Sequence, residues 1–175
     1  MIDLLRTPVV RVAILVLTVL VLQIGMVSQF PIASVTPDLM LLFAIAAGVV
    51  AGPERGSVVA FTFGMAFDLM VHTPFGLSAL CFTLVAYVLA QIQTGLLRGG
   101  VLVPALTTFL ASAGGVALWA VLAALFGDTY VLSYHLVTVI VVVGTVNVLL
   151  APIARRLMHW AAASDGGVRL TGPTR

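Results

Sequence analysis

The sequence predicts an all-α membrane protein, a bundle of six transmembrane helices, and three observations carry that prediction. Hydrophobic residues make up 62% of the chain and charged residues only 8%, a composition outside the range of water-soluble domains. The charged residues bound long uncharged intervals, at 12–37, 39–53, 56–67, 69–97, 99–127 and 129–154. A bilayer core of about 30 Å needs roughly 20 apolar residues as a helix, and four of these intervals are long enough to supply them alone. Third, the two signs of charge are segregated along the chain, in a way that an alternating path through a membrane explains.

The helices are expected, in order, near 9–29, 38–51, 56–71, 77–95, 101–126 and 131–157. The breaks between them carry turn chemistry: Phe30-Pro31, Thr36-Pro37, Gly52-Pro53, Thr73-Pro74, Arg98-Gly99-Gly100 and Gly127-Asp128. The first helix follows Arg6 and Arg11 as a secretory signal would. It is longer than the apolar core of a signal and lacks a small-residue cleavage site, so it is read as a retained signal anchor. The second and third helices, at about 14 to 16 residues, reach only about 21 to 24 Å. They are short for a full crossing and are expected to tilt, thin the bilayer, or frame a cavity open to the outer face. The organisation is therefore an integral membrane domain over 1–160, followed by a flexible cytoplasmic tail over 161–175, whose Ser164, Gly166, Gly167 and Pro173 leave little apolar surface to fold.

With the N-terminus in the cytoplasm, Arg6, Arg11, Arg55, Arg98, Arg155, Arg156, Arg169 and Arg175 all fall inside, and Asp38, Asp68 and Asp128 fall outside. Arginine in short flanking loops sets orientation, so an even number of crossings with both termini in the cytoplasm is expected. The net charge of +2 then reports topology, and no basic patch interleaved with aromatics suggests nucleic acid. Cys81 is the sole cysteine, which excludes an intrachain disulfide and points to packing.

Chemistry inside a membrane needs polar groups at depth. Those available are Gln23, Asp68, Gln91, Gln93, His135 and Asn147. Ser78, in Gly76-Leu77-Ser78-Ala79, lacks the second glycine of a membrane serine-protease motif and reads as a cap or a packed hydroxyl. Asp68 has no second deep aspartate to share a proton with. His72, His135 and His159 are not at metal-ligand spacing. No catalytic residue, metal ligand or cofactor is expected. Gln23 and Asn147 are expected to hydrogen-bond between helices, and Ala44/Gly48, Ala60/Gly64 and Ala111/Gly115 to permit close helix approach.

The segment from Pro37 to Gly76 is the most unusual. Asp38 is placed to cap the second helix, where a carboxylate accepts from free backbone N–H groups. Asp68 is the opposite case, near a helix C-terminus that disfavours negative charge, so something else must hold it. Pro74 and Gly76 shape a tight turn. Both aspartates either fix helix ends only or face an outer opening.

Pro37 and Asp38, then Gly56, Ala60, Phe61, Gly64 and Asp68, then Pro74, Phe75, Gly76 and Leu77 resemble the MreD family of bacterial rod shape-determining membrane proteins. The resemblance implies a multi-pass protein of the bacterial inner membrane. It also implies a non-enzymatic scaffold of the cell-elongation complex, the elongasome, that serves cell shape and peptidoglycan synthesis. By the same resemblance its partners would be MreC, with RodA, a class B penicillin-binding protein, RodZ and MreB, alongside membrane lipid. Asp38, Gly64, Asp68, Pro74, Phe75 and Gly76 would be the residues associated with a partner or pocket. The family is also similar to the substrate-binding S components of energy-coupling factor transporters, which leaves a vitamin-uptake subunit as the alternative. Helices five and six carry no motif that the resemblance covers.

Overall fold

The computed structural model describes residues 7–25, 35–70, 75–96, 102–126 and 135–163, and they form five helices. These are α1 (Pro8–Gly25), α2 (Leu39–Asp68), α3 (Leu77–Leu96), α4 (Leu102–Leu125) and α5 (His135–Ala162). The count differs from the six expected, because the segments 38–51 and 56–71 belong to one 30-residue element with no loop between them.

The physical reason lies in Gly52 and Pro53. Gly52 takes φ 80°, ψ −178°, a non-helical conformation inside α2 that favours glycine. Pro53 then stands at the first position of the resumed helix, where its missing N–H costs nothing and its fixed φ suits helical geometry. The sequence signal of a loop is thus used as a single-residue reversal. The two arms lie side by side: the Phe43 and Phe63 rings stack at 5.8 Å, although twenty positions separate them. A Cβ on Gly56 would lie 2.6 Å from the Ala47 carbonyl oxygen and 2.7 Å from Gly48 Cα. By length and composition alone α2 qualifies as one crossing, but the folded arms reach only about 20 and 24 Å.

The reversal places both ends of α2 at one end of the bundle. There the Gln23 side chain near the end of α1 meets the start of α2, donating from Nε2 to the Pro37 carbonyl and accepting at Oε1 from Leu39 N–H, both at 2.9 Å. At the other end, Arg11 of α1 donates to the Ala163 carbonyl beyond α5 at 3.1 Å and lies over the Trp160 ring. Gln93 of α3 donates to Thr107 of α4 at 3.4 Å, and Arg155 of α5 reaches Pro104 of α4. All four described arginines, Arg11, Arg55, Arg155 and Arg156, fall at this second end, the end that the positive-inside expectation assigns to the cytoplasm. The α2 start, its C-terminus and the start of α3 share the opposite end, the outer end on that expected orientation.

Packing follows the chemistry of a hydrocarbon solvent. Helices α4 and α5 bury mainly small or hydroxyl residues, including Thr108, Ser112, Gly115, Gly144, Ala151 and Ala154, and turn Leu106, Leu110, Val141, Leu149 and Ile153 outward. Water would not tolerate that inversion, whereas helices in lipid associate through close contact and polar bonds. The first arm of α2 is the exception, with every residue from Met40 to Gly48 buried. Apolar around its whole circumference, it occupies the bundle centre, and α2 touches each of the other four helices. Helices α1, α2, α4 and α5 are long and apolar enough to cross a membrane, and α3 is apolar over Leu77–Gln93.

Close approach to α3 depends on Gly48, whose added Cβ would sit 2.5 Å from the Ala86 carbonyl oxygen. Gly114, also mid-helix, has open space around it. Gly48→Ala is therefore expected to lower stability by about 1–3 kcal/mol through overpacking against backbone, while Gly114→Ala leaves it unchanged or raises it by up to about 1 kcal/mol. Thermal unfolding of the two purified variants in the same detergent checks the contrast.

Candidate functional site

The sequence-selected residues converge at the outer end of α2 and α3. Asp38, half-buried, is the N-cap of α2 with φ −104° and ψ 95°, and its Oδ1 accepts from Leu41 N–H at 2.9 Å. The cap follows from residue type, since a short carboxylate satisfies one of the free first-turn donors and opposes the helix dipole.

Asp68 closes the same element and is only 4% exposed. Its carboxylate turns away from its own helix and accepts three backbone N–H bonds from the start of α3: Gly76 to Oδ2 at 3.0 Å, Ser78 to Oδ1 at 3.1 Å and Ala79 to Oδ2 at 3.2 Å. The unfavourable position at the end of one helix is offset by a favourable one at the start of the next. Gly76 makes the geometry possible. It adopts φ 94°, and its carbonyl accepts the first helical bond of α3 from Leu80 at 2.9 Å.

Gly64 lies one helical turn before Asp68, on the same face. A Cβ there would fall 2.3 Å from Ala79 Cα and 2.6 Å from Ala79 N, so the two backbones are in direct contact. That approach is what lets the short Asp68 side chain reach the α3 terminus. Ser78, fully buried, accepts from Trp119 Nε1 at 3.3 Å and so ties α4 to the junction. Nothing in the sequence pattern around Trp119 announced this contact; the two residues are 41 positions apart.

Phe75 is 64% exposed and, with Gly76, borders an apolar groove of about 560 Å³. Phe61 of α2, Leu77, Leu80 and Thr83 of α3, and Leu122 and Phe126 beside α4 complete its lining. Thr83 is its one polar side chain, and that hydroxyl donates to the Ala79 carbonyl at 2.6 Å. The structure thus brings Gly64, Asp68 and Gly76 into one junction and Phe75 and Gly76 onto the groove, with Asp38 at the same end. Pro74 lies outside the described residues. Among the described residues, no three of His, Cys, Asp and Glu come together as a metal would require.

Of the deeper polar groups, Asn147 donates from Nδ2 to Ser112 Oγ at 2.9 Å across α4 and α5, while its buried Oδ1 has no partner among the described residues. Gln23 and Asn147 both bridge helices, as their polarity required. Gln91 is exposed and donates to Tyr87 Oη at 3.1 Å on its own helix.

Replacing Asp68 by Ala strands three buried or part-buried N–H groups, and a loss of about 2 kcal/mol or more in stability is expected. Asp68→Asn keeps one acceptor oxygen and is expected to fall between Ala and wild type. Equal stability of all three proteins in thermal unfolding would contradict the capping role.

No curated protein and no solved structure matches the chain, so the expected likeness to transporter S components gains no support. Residues 6–160 match the family described as rod shape-determining protein MreD. The match covers nearly the whole chain, including the capped junction and the C-terminal helices that the sequence motifs left uncovered. The chain therefore belongs to the MreD family, as a multi-pass membrane protein with a rod shape-determining role.

Proposed function

We propose that this chain is a non-enzymatic scaffold of the cell-elongation complex in the bacterial inner membrane, binding MreC and helping to organise peptidoglycan synthesis. The family match carries the reading. The geometry supports it, because the polar groups at the outer end are used in holding helices together. Asp38 and Asp68 bind backbone N–H groups, and the Ser78 hydroxyl meets the Trp119 indole. A substrate-binding subunit for a vitamin would need those carboxylates turned into its pocket, and the groove beside Phe75 is apolar instead.

That groove is the surface we assign to the single membrane helix of MreC. Apolar residues of α2, α3 and α4 line it, and Phe61, Leu80 and Phe126 among them are exposed on the bundle surface. A helix there gains van der Waals contact against Leu80, Thr83 and Leu122 without desolvating a polar group. RodA, a class B penicillin-binding protein, RodZ and MreB are the further partners of the same complex.

Leu80 is 50% exposed, so Leu80→Trp fills the groove without entering the core. At unchanged protein level, this variant is expected to recover at least about tenfold less MreC in mild-detergent co-purification, the equivalent of roughly 1.4 kcal/mol, and to leave a rod-shaped host rounded. Undiminished MreC recovery contradicts the assigned groove. Recovery by the wild type of two ATPases and a coupling membrane subunit, without MreC, contradicts the scaffold reading itself.

A further inference from the structure

We infer that the cytoplasmic end of the seam between α4 and α5 binds the phosphate of an anionic phospholipid, with Arg155 as its cationic contact. Arg155 is half-buried, about 10 Å along the axis from the end of α5 at Ala162. Its side chain does not run out along its own helix. It turns across to α4, where Nη2 donates to Thr108 Oγ1 at 2.7 Å and to the Pro104 carbonyl at 3.0 Å.

Both acceptors are neutral, and both are already engaged. The Pro104 carbonyl also accepts from Thr107 Oγ1 at 3.1 Å and Thr108 Oγ1 at 2.8 Å. A guanidinium carries five N–H donors, and those on Nη1 and Nε have no acceptor among the described residues. No described carboxylate pairs with it. Asp38 and Asp68 are at the opposite end of the bundle, and Glu54 is exposed beside the α2 reversal. The first turn of α4 has no acidic residue to repel an anion.

A partly desolvated cation with only neutral partners is costly, and an anion from outside relieves that cost. At this depth and on this side the available anions are lipid phosphates, concentrated by the negative surface potential of the cytoplasmic leaflet. Two fixed hydrogen bonds hold the guanidinium in place beforehand, so little side-chain entropy is lost on binding. The exposed Leu102 and Leu106 on α4, with Leu157 and Trp160 on α5, supply apolar surface for acyl chains at the same end. Arg11 differs, because the Ala163 carbonyl and the Trp160 ring already occupy it.

The test is thermal unfolding of the purified full chain in a neutral detergent, with added phosphatidylglycerol, phosphatidylcholine or soluble glycerol phosphate. Phosphatidylglycerol is expected to raise Tm by about 3 °C or more, as a ligand bound only by the folded state does, and phosphatidylcholine to raise it by clearly less. Arg155→Gln is expected to lose that increment, and Arg156→Gln, at an exposed neighbouring position, to keep it. Equal effects of the two lipids on the wild type, or an undiminished increment in Arg155→Gln, overturn the inference. An equal rise with glycerol phosphate alone overturns the lipid assignment. Should Arg155→Gln fail to fold, native mass spectrometry of the wild type decides: preferential retention of phosphatidylglycerol over phosphatidylcholine from an equal mixture supports the site, and indifferent retention refutes it.

Discussion

The reversal at Gly52 is the constraint on which the rest of the bundle depends. A straight α2 of 30 residues would extend about 45 Å and carry Asp38 and Asp68 to opposite faces of the membrane. Folded at a single positive-φ glycine followed by proline, the same residues make two short arms whose ends meet at one end of the bundle. Only then does Asp68 reach the first turn of α3, and only then is the arm from Met40 to Gly48 enclosed on all sides. The local cost is small, because glycine adopts that conformation without a Cβ clash and proline gives up no helical bond at that position.

In lipid no hydrophobic drive brings helices together, so contact distance and polar bonds carry the association. Gly48 and Gly64 set α2 directly against the α3 backbone. At the outer end, Gln23, Asp68 and Ser78 link α1 to α2, α2 to α3 and α3 to α4 in turn. Across α4 and α5 the links are Asn147 to Ser112 and Arg155 to Thr108. The outer junction is thereby firm, which suits the proposed scaffold role.

Much of this was legible in the residues, though unevenly. Charge segregation anticipates that the described arginines, Arg11, Arg55, Arg155 and Arg156, gather at one end of the bundle. The Pro37-Asp38 pair identified a cap because capping is local. The sequence marks Asp68 as misplaced at its own helix terminus, yet its partners, Gly76, Ser78 and Ala79, belong to the start of the next helix and depend on tertiary contact. Gly52-Pro53 predicts a loop because both residues break helices; that a single residue suffices for the turn depends on a φ that composition does not specify. The small residues at 48 and 64 predict close helix approach, and they face α3. The pairing of Trp119 with Ser78, and of Arg155 with Thr108, joins segments with no shared pattern.

The direct test of the account is the sidedness of α2. In a Cys81→Ala background, single cysteines at the exposed positions Thr36, Glu54 and Phe75 are treated with a membrane-impermeant thiol reagent in intact spheroplasts. The reversal predicts that the cysteines at 36 and 75 react from outside and that the one at 54 reacts only after the membrane is opened. Reaction of 36 and 75 from opposite faces would mean that α2 crosses once, and the shared outer junction of Asp38 and Asp68 would not exist.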